Sequence, residues 1–318
     1  MKILVVGAGA VGGYFGGRLA QANRDVTFLV RAKRAEEMKE KGLQIVSSRE
    51  NLTLHPKTIT TFQITGAYEV ILLAVKGYML AGAMNDFAAA VGPETMILPV
   101  LNGMRHIDLL VARFGAHAVL GGVCLVATEI DQDGRIRQLA DFQSLTYGEL
   151  DGQSTSRLQE LDETLRGAGF GAAISSHILH DMWEKWVQIA ALGTLSCLMR
   201  GNIGDIVSIP GGAELSHTAL RECADIAIAC GHKPSGDFLE QQTAQLTTPG
   251  SQLTSSMYRD LKKGAPVEVD TILGDLLKHG RKYGLTMPIL QAAFVNLSIY
   301  QRGRDTKLSC LVPSLAPM

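Results

Sequence analysis

The chain has 318 residues, 46% of them hydrophobic and 19% charged. That is material for about two ordinary cores, and it excludes disordered, collagenous and coiled-coil chains. Lys and Arg number 30 against 31 Asp and Glu, a net charge of -1, so no surface is dedicated to nucleic acid or an anionic membrane, where affinity rests on many unpaired cations. The 34 glycines exceed the average share of about 7%.

In chain order, MKILVVGAGAVGGYFGGRLA has the cation and apolar run of a signal peptide. It reads instead as a strand, Lys2–Val6, entering a glycine turn and a helix, Ala10–Ala22, with small residues on one side. Asp25–Val30 is a second strand and Lys33–Lys41 a polar, exposed helix. Val70–Val75 is a continuous apolar run, the pattern of a parallel strand covered on both faces. Thr95–Leu101 follows a Gly92-Pro93 break. This alternation predicts an α/β, doubly wound sheet with right-handed crossovers.

From Ala118 the pattern changes. Val119–Glu129, Arg135–Leu139 and Ser144–Tyr147 read as extended, with Asp131–Gly134 a turn between the first two. Asp-x-Asp-Gly is not read as a calcium loop, because its twelfth position is Phe142. Beyond residue 177, five stretches read as helices: His180–Cys197, Gly212–Cys230, Ser251–Lys263, Val267–Tyr283 and Met287–Arg302. Gly231, Gly264, Gly284 and Gly303 punctuate their ends. The expected domains are 1–177 and an all-helical 178–318, with PSLAPM a frayed tail. Trp186–Met199 is too short to span a bilayer and is interrupted by Gln188, so a cytoplasmic protein is expected. Cys124, Cys197, Cys223, Cys230 and Cys310 lack any paired spacing and read as idle thiols. His177 and His180 lack the further ligands of a metal shell; no metal is expected.

Gly7, Gly9 and Gly12 form Gly-x-Gly-x-x-Gly between the first strand and its helix. Gly7 permits the tight turn, Gly9 lets backbone approach a pyrophosphate, and Gly12 lets helix lie on strand. The amides of Ala10, Val11 and Gly12 at the helix start face the anion. The competing reading is simple helix–strand packing. At the tip of the second strand, where an NAD site places a carboxylate for the ribose hydroxyl, stands Arg31, with Lys33 and Arg34 nearby. A guanidinium clamps a 2′-phosphate, so NADPH is the expected cofactor; Lys33 and Arg34 read equally well as a solvated helix face. Lys76 and Asn102 follow two further strands, where open sheets bind ligands and where loop capping is the plainer role.

With these motifs in place the chain resembles the ketopantoate reductase (2-dehydropantoate 2-reductase) family. The likeness continues in WEKW around Lys185 and in SSMYRDLKKGAPVEVD, residues 255–270. It implies a Rossmann-type N-terminal domain, a helical C-terminal domain like that of 6-phosphogluconate dehydrogenase, and NADPH-dependent reduction of a 2-oxo acid to a 2-hydroxy acid. It implies catalytic roles for Lys185 and Glu268, substrate contacts from Ser256, Asn102, Lys185 and Glu268, and cofactor contacts from Arg31, Lys76 and Asn102. By position alone Lys185 is a surface helix lysine, Glu268 a helix-start glutamate after Pro266, and Ser256 an N-cap. The chain departs from the family where asparagines stand four and eight residues after the lysine: here Ile189 and Gly193. A third asparagine aligns with Ile203, beside Asn202. Losing amides built to bind a hydroxyl and a carboxylate shifts substrate preference. A more apolar 2-oxo acid, or a non-catalytic NADP(H)-binding regulatory role, are the alternatives. A homodimer, with residues near 271–277 and 287–299 packing on another subunit, is a further expectation.

Overall fold

The computed structural model describes residues 1–311, with side chains through residue 306; the Cys310 side chain and the PSLAPM segment lie outside these. The chain divides into two compact units, Met1–Met182 and Trp183–Met318.

The first unit contains β1 (Lys2–Val6), α1 (Ala10–Gln21), β2 (Asp25–Leu29), α2 (Ala32–Lys41), β3 (Leu43–Val46), β4 (Asn51–Leu54) and β5 (Lys57–Ile59). It continues with β6 (Val70–Leu73), α3 (Leu80–Phe87), β7 (Met96–Pro99), α4 (Arg105–Phe114), β8 (Leu120–Ile130), β9 (Ile136–Glu149), α5 (Ser156–Leu165) and β10 (Gly171–Ile174). One sheet runs β5-β2-β1-β6-β7, all parallel. Alternation along its strands feeds two cores. Ile3, Val5, Phe28 and Leu72 pack toward α1, while Leu4, Val6, Ile71 and Leu73 pack toward α3 and α4. In the second sheet β10-β9-β3-β4 are neighbours, with β8 also paired to β9.

Helix α1 lies between the two sheets. A Cβ at Gly16 would meet Phe28 of the first sheet at 2.6 Å, and one at Gly17 would meet Ile45 of the second at 2.8 Å. The small residues expected on one side of this helix therefore serve two neighbouring faces.

Residues 136–149 form one strand rather than two. Its pairing with β8 is interrupted where Val126 opposite Gln143 is followed by Thr128 opposite Gln138, so residues 139–142 have no partner in β8, and the exposed Leu139 and Phe142 lie in that stretch. The Asp131–Gly134 turn consumes its own carboxylate, since Asp131 accepts from the amides of Asp133 and Arg135, both at 2.9 Å.

The second unit is helical. Helix α6 (Ile178–Met199) crosses the division between units and is followed by α7 (Ile203–Val207), α8 (Gly212–Ala229), α9 (Gly236–Thr247) and α10 (Ser256–Lys262). A π-helical turn, Asp270–Gly274, then leads into α11 (Asp275–Lys282) and α12 (Pro288–Leu311). Helix α8 packs on α7, α9, α11 and α12, and its buried Glu222 accepts from the amides of Ile289 and Leu290 at the start of α12.

Three expectations fail here. Residues 251–255 are not helical, because the carbonyls of Ser251 and Leu253 bind the first amides of α7. Gly303 ends no helix: α12 continues past it, held where Arg304 donates to the Gly264 carbonyl at 2.8 Å. Ile272, Leu273, Leu276 and Leu277 are buried inside the unit, so that stretch does not offer the subunit contact expected of it. Val295 and Ile299 on α12 are exposed. Among the described residues, no helix is long and apolar enough to cross a membrane.

Candidate functional site

The parallel strands finish level. Val6 is in register with Leu29 and with Leu73, and Leu73 with Pro99. The residues that follow form one row along the carboxyl edge: Arg31 after β2, the glycine turn after β1, Lys76 after β6 and Asn102 after β7. Three strand spacings make that row about 14 Å long.

Gly7 has φ +99°, a conformation that favours glycine. A Cβ at Gly12 would overlap the Gly7 carbonyl oxygen and lie 2.7 Å from the Ala74 Cβ, so only glycine seats α1 this closely. At Gly9 the same construction meets nothing within 4 Å. Gly9 is also the N-cap of α1, with no side-chain cap and no acid in the first turn. The first amides of α1, those of Ala10, Val11 and Gly12, have no carbonyl one turn earlier inside the helix. Open space, orphan donors and a positive helix end together fit a pyrophosphate.

Arg31 caps α2 in extended conformation and is exposed. Arg34 is paired with Glu37 at 3.2 Å. Lys76 and Asn102 are half-buried. Tyr78 and the buried His106 lie just beyond them; nothing in their spacing had pointed to either.

In the second unit Lys185, Ile189 and Gly193 share one face of α6 at four-residue intervals. Lys185 and Ile189 are half-buried, and Gly193 lies beneath Met257, whose Cε would be 2.8 Å from a Cβ there. The N-cap of α10 is Ser255 rather than Ser256: its hydroxyl accepts from the Tyr258 amide and meets the Ser196 hydroxyl at 2.8 Å. That leaves Ser256 exposed. Asn202 is committed to capping α7 through the Asp205 amide, and Ile203 is fully buried. Glu268 is buried and precedes the π-helical turn, which is tied to α6 by a 2.8 Å hydrogen bond from the Trp186 indole to the Ile272 carbonyl. In the sequence, nothing beyond its place beside Lys185 ties Trp186 to the site.

Three thiols are poor nucleophiles. Burial pushes Cys197 up to about 11 and raises Cys223 and Cys230 as well. No cluster that would hold a metal occurs among the described residues.

A parallel sheet with a glycine turn at its carboxyl edge, joined to a helical unit, is the two-domain architecture of a dinucleotide-binding fold. The chain belongs to the ketopantoate reductase PanE/ApbA family: the N-terminal family model matches residues 3–152 and the C-terminal one residues 177–301. It is 35% identical to the uncharacterized oxidoreductase YkpB of Bacillus subtilis (strain 168), over 95% of this chain and 99% of that one. Among solved structures, 2-dehydropantoate 2-reductase from Geobacter metallireducens GS-15 is 25% identical with a TM-score of 0.85, covering 94% of this chain and 99% of that one. D-mandelate dehydrogenase, solved with NADH and anilino(oxo)acetate, shares the fold at 20% identity, with a TM-score of 0.86 over 96% of this chain and 100% of that one.

Proposed function

We propose that this oxidoreductase reduces a 2-oxo acid to the 2-hydroxy acid with NADPH, in the manner of 2-dehydropantoate to pantoate. The observation that carries the reading is the level row of Arg31, Gly9, Lys76 and Asn102 on four adjacent strand ends, within a chain of this family. In this reading the amides of Ala10, Val11 and Gly12 hold the pyrophosphate, and Arg31 clamps the 2′-phosphate. Lys76 and Asn102 bind along the remainder of the cofactor, and Asn102 also reaches the substrate. NADPH, when bound, supplies the hydride. The Lys185 ammonium stabilises the negative charge gathering on the carbonyl oxygen and gives it a proton. Glu268 accepts a hydrogen bond from the nascent hydroxyl, and Ser256 takes the substrate carboxylate. One 2-oxo acid, one NADPH and one proton yield one 2-hydroxy acid and NADP+.

A second reading keeps the chemistry and changes the substrate to a more apolar 2-oxo acid. It is favoured by Ile189 and Gly193, which stand where the resemblance sets asparagines, and by Met257 lying over Gly193. The test is NADPH oxidation against branched, linear and aromatic 2-oxo acids, with Lys185→Ala as control. The variant should lose at least a hundredfold in kcat, the usual range for a general acid, and still bind NADPH. Tight NADPH binding with no turnover of any carbonyl compound would refute the enzyme and favour a regulatory NADP(H)-binding protein.

A further inference from the structure

Trp186 follows Lys185 on α6 and is almost fully buried. Trp183 lies 5.0 Å from its ring, centroid to centroid, and His279 5.8 Å, which fixes its orientation. Its indole nitrogen donates at 2.8 Å to the carbonyl of Ile272, inside the π-helical turn Asp270–Gly274. Such turns are rare within helices and recur at functional sites. Here the Asp275 amide reaches back to the Asp270 carbonyl, five residues rather than four. The amide of Ile272 is bound in turn to the Glu268 carbonyl at 3.0 Å. A single residue thus grips both halves of the proposed acid–base pair, by its carbonyl to the neighbour of Lys185 and by its amide to Glu268 itself. The path is dry: Trp186, Ile272 and Glu268 are each no more than 5% exposed.

We infer that Trp186 is a positioning residue, whose indole N–H holds the π-helical turn so that Glu268 is set against the helix carrying Lys185. The inference rests on the reduction proposed above. The ring alone does not suffice, because a ring of the same shape without the N–H would leave the Ile272 carbonyl without its donor.

Trp186→Phe in the full chain tests this. We expect kcat for the preferred 2-oxo acid to fall about tenfold while the KM for NADPH stays put. In a Glu268→Gln background the same substitution should lower kcat less than twofold, because a residue acting through Glu268 has nothing left to position. Hydrogen exchange should quicken at least tenfold at the amides of residues 270–276, with or without NADPH. Should the variant not fold, benzothienylalanine at position 186, which replaces the indole N–H by sulfur at nearly constant shape, gives the same comparison. Equal losses in both backgrounds, or unchanged exchange in that segment, would overturn the inference while leaving the reductase reading intact. A native protein inactive on every 2-oxo acid would overturn both.

Discussion

Two alanine substitutions three residues apart should have opposite signatures. At Gly12 the added methyl overlaps the Gly7 carbonyl oxygen and stands 2.7 Å from the Ala74 Cβ, where carbon atoms normally rest about 3.5–4.0 Å apart. Both neighbours are backbone or stiff, so α1 must lift from the sheet by about 1 Å. Overpacking of this kind costs about 3 kcal/mol at its upper end. Alanine's better helix propensity returns about 1 kcal/mol. The net of about 2 kcal/mol lowers Tm by about 4–8 °C for a unit of this size. At Gly9 the methyl enters open space and the backbone, φ -84° and ψ -164°, suits any residue. Tm should move by no more than about 1 °C, while NADPH affinity falls at least tenfold, about 1.4 kcal/mol. Thermal melts of the ligand-free protein and calorimetric titration with NADPH read both quantities. If Gly9→Ala binds as well as the native chain, the pyrophosphate does not pass over this turn. If Gly12→Ala melts with the native chain, the close seat of α1 is not what this geometry says.

Three further outcomes are expected. Arg31→Ala should weaken NADPH about tenfold or more and leave NADH nearly untouched; equal losses, measured by titration, would remove the 2′-phosphate from this arginine. Ile189→Asn with Gly193→Asn should raise kcat/KM for 2-dehydropantoate at least tenfold, since Met257, the side chain in the way, is flexible enough to swing aside; an unchanged value would separate these positions from the substrate. Burial alone would raise the Glu149 carboxyl, but Arg157 at 2.8 and 2.5 Å and the Thr155 hydroxyl at 2.6 Å hold it below the ordinary 4.5. A group depressed in the folded state stabilises above its unfolded pKa, and that stability is lost as pH falls through the folded value. Arg157→Ala should therefore be less stable than the native chain at pH 7, with the gap narrowing below about pH 4; denaturant melts showing a constant gap would contradict this.

The parts of the fold legible in the sequence were those where a single physical demand dominates. Val70–Leu73 is buried on both faces and so is apolar throughout. The turn after β1 needs glycine at several points at once, and the text says so. Strands β4 and β10 are short and half-exposed, so their composition matches that of loops. Helix α9 buries only Gln242 and Leu246, too little for a 3.6-residue rhythm to stand out. At the candidate site, the strand ends are what single out Arg31, Lys76 and Asn102 in the sequence. The choice between Ser255 and Ser256 did not show, because adjacent serines differ only in which of them meets Ser196. The hydrogen bond from Trp186 was beyond sequence reasoning altogether, since its acceptor is a backbone carbonyl 86 residues away.

The glycine stripe of α1 assigns different freedoms to different stretches of the chain. A helix pressed by two sheets is closed to drift: an added atom at Gly12, Gly13, Gly16 or Gly17 disturbs a core. Arg31 stands outside both layers, at the exposed end of a strand. On the proposed reading of Arg31, a change of preferred coenzyme is open to substitution at that tip, whether by natural variation or by an engineer, with the scaffold beneath left undisturbed.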